Sequence, residues 1–135
     1  MKCLLVVLAA VLLNACNAVA DTKAAEEGVV SFHQELNSSQ FDQIYGSTGP
    51  EFKAASTRDD FTKLLAAVHR KLGNFQSGKT ANWNDNATTG GHYLTLQRTA
   101  QFERGPAQEE FVFKMEGQEA VLIGYHIASN TLIIS

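Results

Sequence analysis

Between residues 91 and 134, apolar and polar positions alternate with a period of two, the period of a strand that buries one face. Within 92–104, Leu94, Leu96, Ala100 and Phe102 face one way and Tyr93, Thr95, Gln97, Thr99, Gln101 and Glu103 the other, and Arg98 breaks the apolar row. Within 109–116, Phe111, Phe113 and Met115 lie on one side against Glu110, Val112, Lys114 and Glu116. Residues 120–127 are apolar on both sides, Val121, Ile123, Tyr125 and Ile127 against Ala120, Leu122 and Gly124, which predicts a strand covered on both faces. Gly105-Pro106 and Gly117-Gln118 supply turn chemistry where the segments stop, so the pattern predicts a meander of adjacent hairpins.

Upstream the period lengthens to that of a helix. In 21–37, Ala25, Val29, Phe32 and Leu36 recur at helical spacing and Ala24 and Gly28 widen the stripe. Gly28 weakens such a helix by about 1 kcal/mol relative to alanine. A serine cap ahead of Phe41, Ile44 and Tyr45 predicts a turn or two that Gly46 ends, and Pro50 opens another short piece able to dock through Phe52 and Ala55. The clearest helix is 58–72, with Thr57 as cap, Asp60 three residues on, and Phe61, Leu64, Leu65, Val68 and Leu72 on one face. His69, Arg70 and Lys71 complement its dipole and Gly73 closes it. Residues 75–84 make a poorer strand, and 85–91 read as a polar, Gly-rich turn. Helices first and sheet last predict an α+β fold, N-terminal helices packed on one face of a curved antiparallel sheet.

Composition narrows the picture. At 135 residues the chain has room for one domain, 21–135, once a leader over 1–20 is set aside. A net charge of -3 with scattered basic residues argues against a nucleic-acid partner. Met1-Lys2 followed by an unbroken apolar run over 3–13 is the pattern of an export signal, too short to span a bilayer as a helix. Two processing sites stay open: Ala18-Val19-Ala20, which releases a soluble protein at Asp21, and Leu13-Asn14-Ala15-Cys16, a lipobox-like run that makes Cys16 a lipidated N-terminus. The protein is therefore expected to be periplasmic, either free or lipid-anchored. With Cys3 inside the signal and Cys16 removed or lipidated, the mature domain has no thiol for a disulfide, a metal or a nucleophile. The four histidines show no metal-ligand spacing, so neither a metal nor a cofactor is expected. Asn37-Ser38-Ser39 and Asn86-Ala87-Thr88 match glycosylation sequons, which a bacterial export signal makes chance sequence.

The run Glu51-Phe52-Lys53, the helix through Phe61 that ends in Leu72-Gly73, Phe102-Glu103-Arg104-Gly105, Glu110-Phe111-Val112-Phe113 and Leu122-Ile123-Gly124-Tyr125-His126 resemble small exported bacterial proteins of unknown function, of the DUF4019 and DUF3887 kind. The resemblance implies an NTF2-like, cystatin-like fold, a long helix cupped by a bent sheet. That fold hosts isomerases, dehydratases and plain binding modules alike, so it leaves activity open. In its enzymes an acid or base lies inside the cone beside a tyrosine, which makes His33, Asp42, Tyr45, Tyr93 and His126 the residues to locate; none falls in a catalytic motif.

Taken alone, His126 reads as a hydrogen-bonded histidine at a strand end, His33 as a boundary side chain of its helix, and Arg98 as the mark of a pocket mouth or, in preference, an edge residue whose stem packs while its charge reaches water. Trp83, Tyr93 and Tyr125, with Tyr45 and His126, are the candidate lining of an apolar ligand site, against ordinary core packing with hydroxyls at the surface. The expected function is a non-catalytic envelope module for a small apolar ligand or an envelope protein, with an isomerase- or lyase-like enzyme as the alternative. A homodimer through the sheet stays open.

Overall fold

The computed structural model describes residues 4–134, with side chains over 19–133. Cys3, and the side chain of Cys16 with its lipidation reading, lie outside the described residues. The element order is α1 (Leu4–Asn37), α2 (Phe41–Gly46), α3 (Pro50–Ala55), α4 (Arg58–Leu72), β1 (Phe75–Thr88), β2 (Gly91–Phe102), β3 (Gly105–Glu116), β4 (Glu119–Ala128) and a last turn α5 (Asn130–Ile134). The strands form one open antiparallel sheet in the order β1-β2-β3-β4, and the helices lie on one face of it. This is the α+β arrangement expected. No helix among the described residues is long and apolar enough to cross a membrane.

The amphipathic stripe of α1 is buried as its spacing requires: Ala25, Val29, Phe32 and Leu36 are at most 4% exposed. They meet the inner row of the sheet, Leu94, Leu96, Phe102, Phe111 and Phe113. Gly28 has a packing reason to interrupt the helix, because a Cβ there would stand 2.9 Å from Cε1 of Phe113. Behind α1, α4 buries Phe61, Leu65, Val68 and Leu72, and Oγ1 of Thr57 accepts a hydrogen bond from the Asp60 amide as its cap. Leu64, assigned to the same face, is exposed. The serine cap of α2 is not formed: Gln40 stands at that position and makes no side-chain capping bond.

Gly73 ends α4 at φ +77°, and an added Cβ would lie 2.9 Å from Cβ of Glu103. Gly73→Ala is therefore expected to destabilise the domain by about 1–3 kcal/mol, read as a lower urea midpoint. An unchanged midpoint would mean that the end of α4 relaxes freely.

The sheet departs from its sequence pattern in three places. First, β1 runs on to Thr88, so 85–88 is strand and the turn is confined to Thr89-Gly90. Nothing buries those residues, and burial is what period-two patterns record. Second, the β2–β3 turn falls at Glu103-Arg104, while Gly105 and Pro106 pair with Phe102 and Gln101 as the start of β3. Third, a bulge at Val112/Phe113 sets Phe113 opposite Leu122 and Phe111 opposite Tyr125. The bulge switches faces midway along β4, so Leu122 and Tyr125 both enter the core. A strand that changes sides looks apolar on both, which accounts for the doubled row in the sequence.

The two edges of the sheet are treated differently. At β4 the Gly49 amide donates to the Leu122 carbonyl at 2.9 Å, and a Cβ on Gly49 would touch Ile123 and Val121. At Leu122 that edge is met by the start of α3, and Lys114 of β3 ties α3 down through Glu51 at 2.9 Å. At β1 the whole of 81–90 is exposed. Bulges at Phe75/Ser77 and Thr80/Asn82 interrupt the first half of β1, but 82–88 keeps a regular register with β2. His92 links this arm to the helix layer, contacting Asp85 of β1 and, at 3.7 Å, Asp21 of α1.

Candidate functional site

The core contains charge. Glu109 stands on β3 in the inner row between Ala107 and Phe111, at 2% exposure. A carboxylate so placed has to be hydrogen-bonded, because desolvation without partners costs several kcal/mol. Two elements answer it. Nε2 of His33, on α1, lies 2.8 Å from Oε1, and the Tyr125 hydroxyl, on β4, donates to Oε2 at 2.7 Å.

The His33 ring is stacked on Phe75 with centroids 3.6 Å apart, and Phe32, Phe102 and Phe111 meet it edge-on. Burial first, and then the Glu109 charge beside it, push the Tyr125 hydroxyl well above the ordinary tyrosine range. His33 is therefore a core residue and not the boundary side chain expected. The triad braces α1, β3 and β4 together, and aromatic rings close around it.

Beside it runs a second polar link. Register sets Arg98 of β2 opposite both Glu109 and Thr80. Its Nη1 donates to Oε2 of Glu26 at 2.7 Å and to the Thr80 hydroxyl at 2.8 Å, and Thr80 donates in turn to Glu26. Arg98 is only 8% exposed and its Nε is buried without a partner. The expected escape of its charge to water is thus corrected: the guanidinium is buried and held by the Glu26 carboxylate of α1.

The other sequence candidates are dispersed. Tyr45 packs against Phe52 and Phe61, donates to the Ser56 carbonyl at 2.9 Å and lies under the Arg58 guanidinium. Asp42 is an exposed partner of Arg58. Tyr93 donates to the Gly90 carbonyl at the hairpin tip, and Trp83 is 51% exposed on β1. Tyr125 turns its hydroxyl inward, and His126, its neighbour on β4, is exposed on the opposite face, paired with Glu110 through the backbone alone. Tyr45, Trp83, Tyr93, Tyr125 and His126 therefore do not converge on one pocket. Of the acid–base candidates His33 alone is buried, and its partners are Glu109 and Tyr125 in place of Tyr45 or Tyr93. Among the described residues no cluster of His, Cys, Asp and Glu is arranged to hold a metal ion.

Residues 30–125 match the sequence profile of DUF4019, a family described as protein of unknown function. The chain belongs to the DUF4019 family. No curated protein matches it. The DUF4019 span takes in His33, Arg98, Glu109 and Tyr125, and so most of the buried polar cluster, while Glu26 precedes it. Glu109 is the residue of this DUF4019 domain that sequence reasoning missed. Its signal was present, because it shares the parity of Phe111, Phe113 and Met115 and is the one charge in their row.

Proposed function

We propose that this domain is a non-catalytic interaction module of the cell envelope that takes an extended polypeptide segment of an envelope protein along the outer edge of β1. The observation that carries the reading is the asymmetry of the sheet. The β4 edge is covered at Leu122 by Gly49, whereas 82–88 of β1 is a regular, exposed edge with Trp83 at 51% exposure. Natural edge strands are usually protected by bulges, lysines or proline. Here the bulges and Lys79 lie in the first half of β1, and the second half carries one charge, Asp85, which is held by His92. An incoming strand gains main-chain hydrogen bonds there and a large indole to pack on.

The apolar-ligand alternative has less support. Around the His33–Glu109–Tyr125 triad the space between α1 and the sheet is taken by Phe32, Phe75, Phe102 and Phe111, and a depression of about 300 Å³ between α1, α2 and the sheet is lined by Ser31, Glu35 and Ser47 as well as by Phe32, Ile44 and Phe113. The enzyme alternative has less still, since His33 and Glu109 satisfy each other under aromatic rings. Export through the signal at 1–20 would deliver the module to its partner.

The test is photocrosslinking in intact cells from benzoylphenylalanine placed at Trp83, with Leu64 on α4, also exposed, as the control. A discrete adduct from position 83 that position 64 does not give is expected. Identical adducts from both positions, or none from 83, would defeat the proposal.

A further inference from the structure

We infer that the depression between α1, α2 and the bulged part of the sheet binds a small organic ammonium ion with an apolar body, held through Glu35. Ser31 and Glu35, one turn apart on α1, share a face with Phe32, and across from them stand Ile44 and Ser47 at the end of α2 and Phe113 and Leu122 on the sheet. The bulge at Val112/Phe113 is what sets Leu122 opposite Phe113 here. The apolar lining belongs to the core, because Phe32, Ile44, Phe113 and Leu122 are each at most 7% exposed. The volume, about 300 Å³, stands at the lower end of the range for small-molecule sites.

The polar lining selects the charge of the ligand. Glu35 is half-buried, and burial raises its carboxyl above the ordinary glutamate value; among the described residues no cation or hydrogen-bond donor offsets that rise. The cations of the bordering elements are placed elsewhere. Lys114 of β3 is held by Glu51 and Glu116, His33 by Glu109, and Lys23 lies about 18 Å back along α1. Ser47 adds an acceptor: its hydroxyl proton is committed to the Ile44 carbonyl at 2.8 Å, which leaves only oxygen lone pairs for a ligand. A carboxylate and an acceptor oxygen beside an apolar wall suit an ammonium group, whose three N–H bonds all donate, joined to an apolar body. An anion would meet Glu35 at close range, and a wholly apolar molecule would desolvate the carboxylate further without answering it. The site draws no residue from β1, so it stands or falls independently of strand addition at 82–88.

The experiment is a titration of the isotopically labelled full-length chain with 2-phenylethylammonium and, separately, with 2-phenylethanol, its neutral analogue of similar size, followed by amide chemical shifts. The ammonium is expected to move the amides of Ser31, Glu35, Ser47 and Leu122 at about tenfold lower concentration than the alcohol, the factor that one hydrogen bond to a charged group supplies. Glu35→Gln keeps the shape and removes the charge, and it is expected to erase that preference while leaving the response to the alcohol unchanged. Silence with the ammonium, equal responses to the two probes, a preference that survives in Glu35→Gln, or shifts confined to other surfaces would each overturn the site.

Discussion

Glu109→Ala is expected to cost about 3–5 kcal/mol, because it leaves two buried polar groups, the His33 imidazole and the Tyr125 hydroxyl, without their shared partner. Against a typical domain stability of about 5–15 kcal/mol, that is enough to leave a large fraction unfolded. The size of the effect follows from connectivity. Glu109 receives His33 from α1 and Tyr125 from β4, so its loss strands two buried polar groups on two other elements. Urea unfolding measures it. The combination His33→Leu, Glu109→Leu and Tyr125→Phe should regain most of the loss, because an apolar set of similar volume leaves nothing unsatisfied. A combined variant as unstable as Glu109→Ala would show that the triad does more than satisfy itself. The same geometry fixes a pH dependence. A tyrosine whose folded pKa is raised contributes stability that is full below its ordinary value of 10.0 and is lost as the pH climbs beyond it. Tyr125→Phe should therefore flatten the alkaline limb of a stability-against-pH profile. An alkaline limb identical in Tyr125→Phe would assign it to other groups.

Phe111→Ala is the second large effect, about 3–5 kcal/mol, from lost burial plus the cavity left behind. Its ring is fully buried at the centre of the aromatic cluster, edge-on to Phe32 with centroids 5.0 Å apart and 5.0 Å from Tyr125. It also walls His33, with centroids 5.7 Å apart, so the variant is expected to admit water to the triad. Thermal unfolding reads the loss, and hydrogen exchange at the amides of His33 and Tyr125 reads the opening. Protection unchanged at both would mean that Phe32 and Phe113 collapse into the gap.

Legibility in the sequence followed burial. α1, α4, β2 and β3 each bury one face, and each announced itself by period. Thr57 and Gly73 were equally plain because capping is local chemistry. β1 was only half visible, since a strand with nothing packed on 81–88 has no apolar row to display. The β4 bulge was hidden for the opposite reason, apolar residues on both sides of the switch. The polar cluster was the hardest to foresee. His33 and Glu109 are 76 residues apart, and each looks ordinary until the fold places one above the other. Arg98 and Glu109 share one signal, a charge at core parity. It was read at Arg98, which breaks a row, and overlooked at Glu109, which begins one.

Gly49, finally, bears on how many molecules can join. Growth by strand addition depends on how many ends a sheet leaves open, and in this protein one end is stoppered by the Gly49 amide on Leu122 and by α3 beside it. If two copies pair along β1, each uses its open end on the other, and a third copy meets α3. Such a pair has the two-fold symmetry of most small assemblies, and the contact at Leu122 obstructs a further strand along the start of β4. A module with one exposed strand edge can in this way limit its own pairing to two copies.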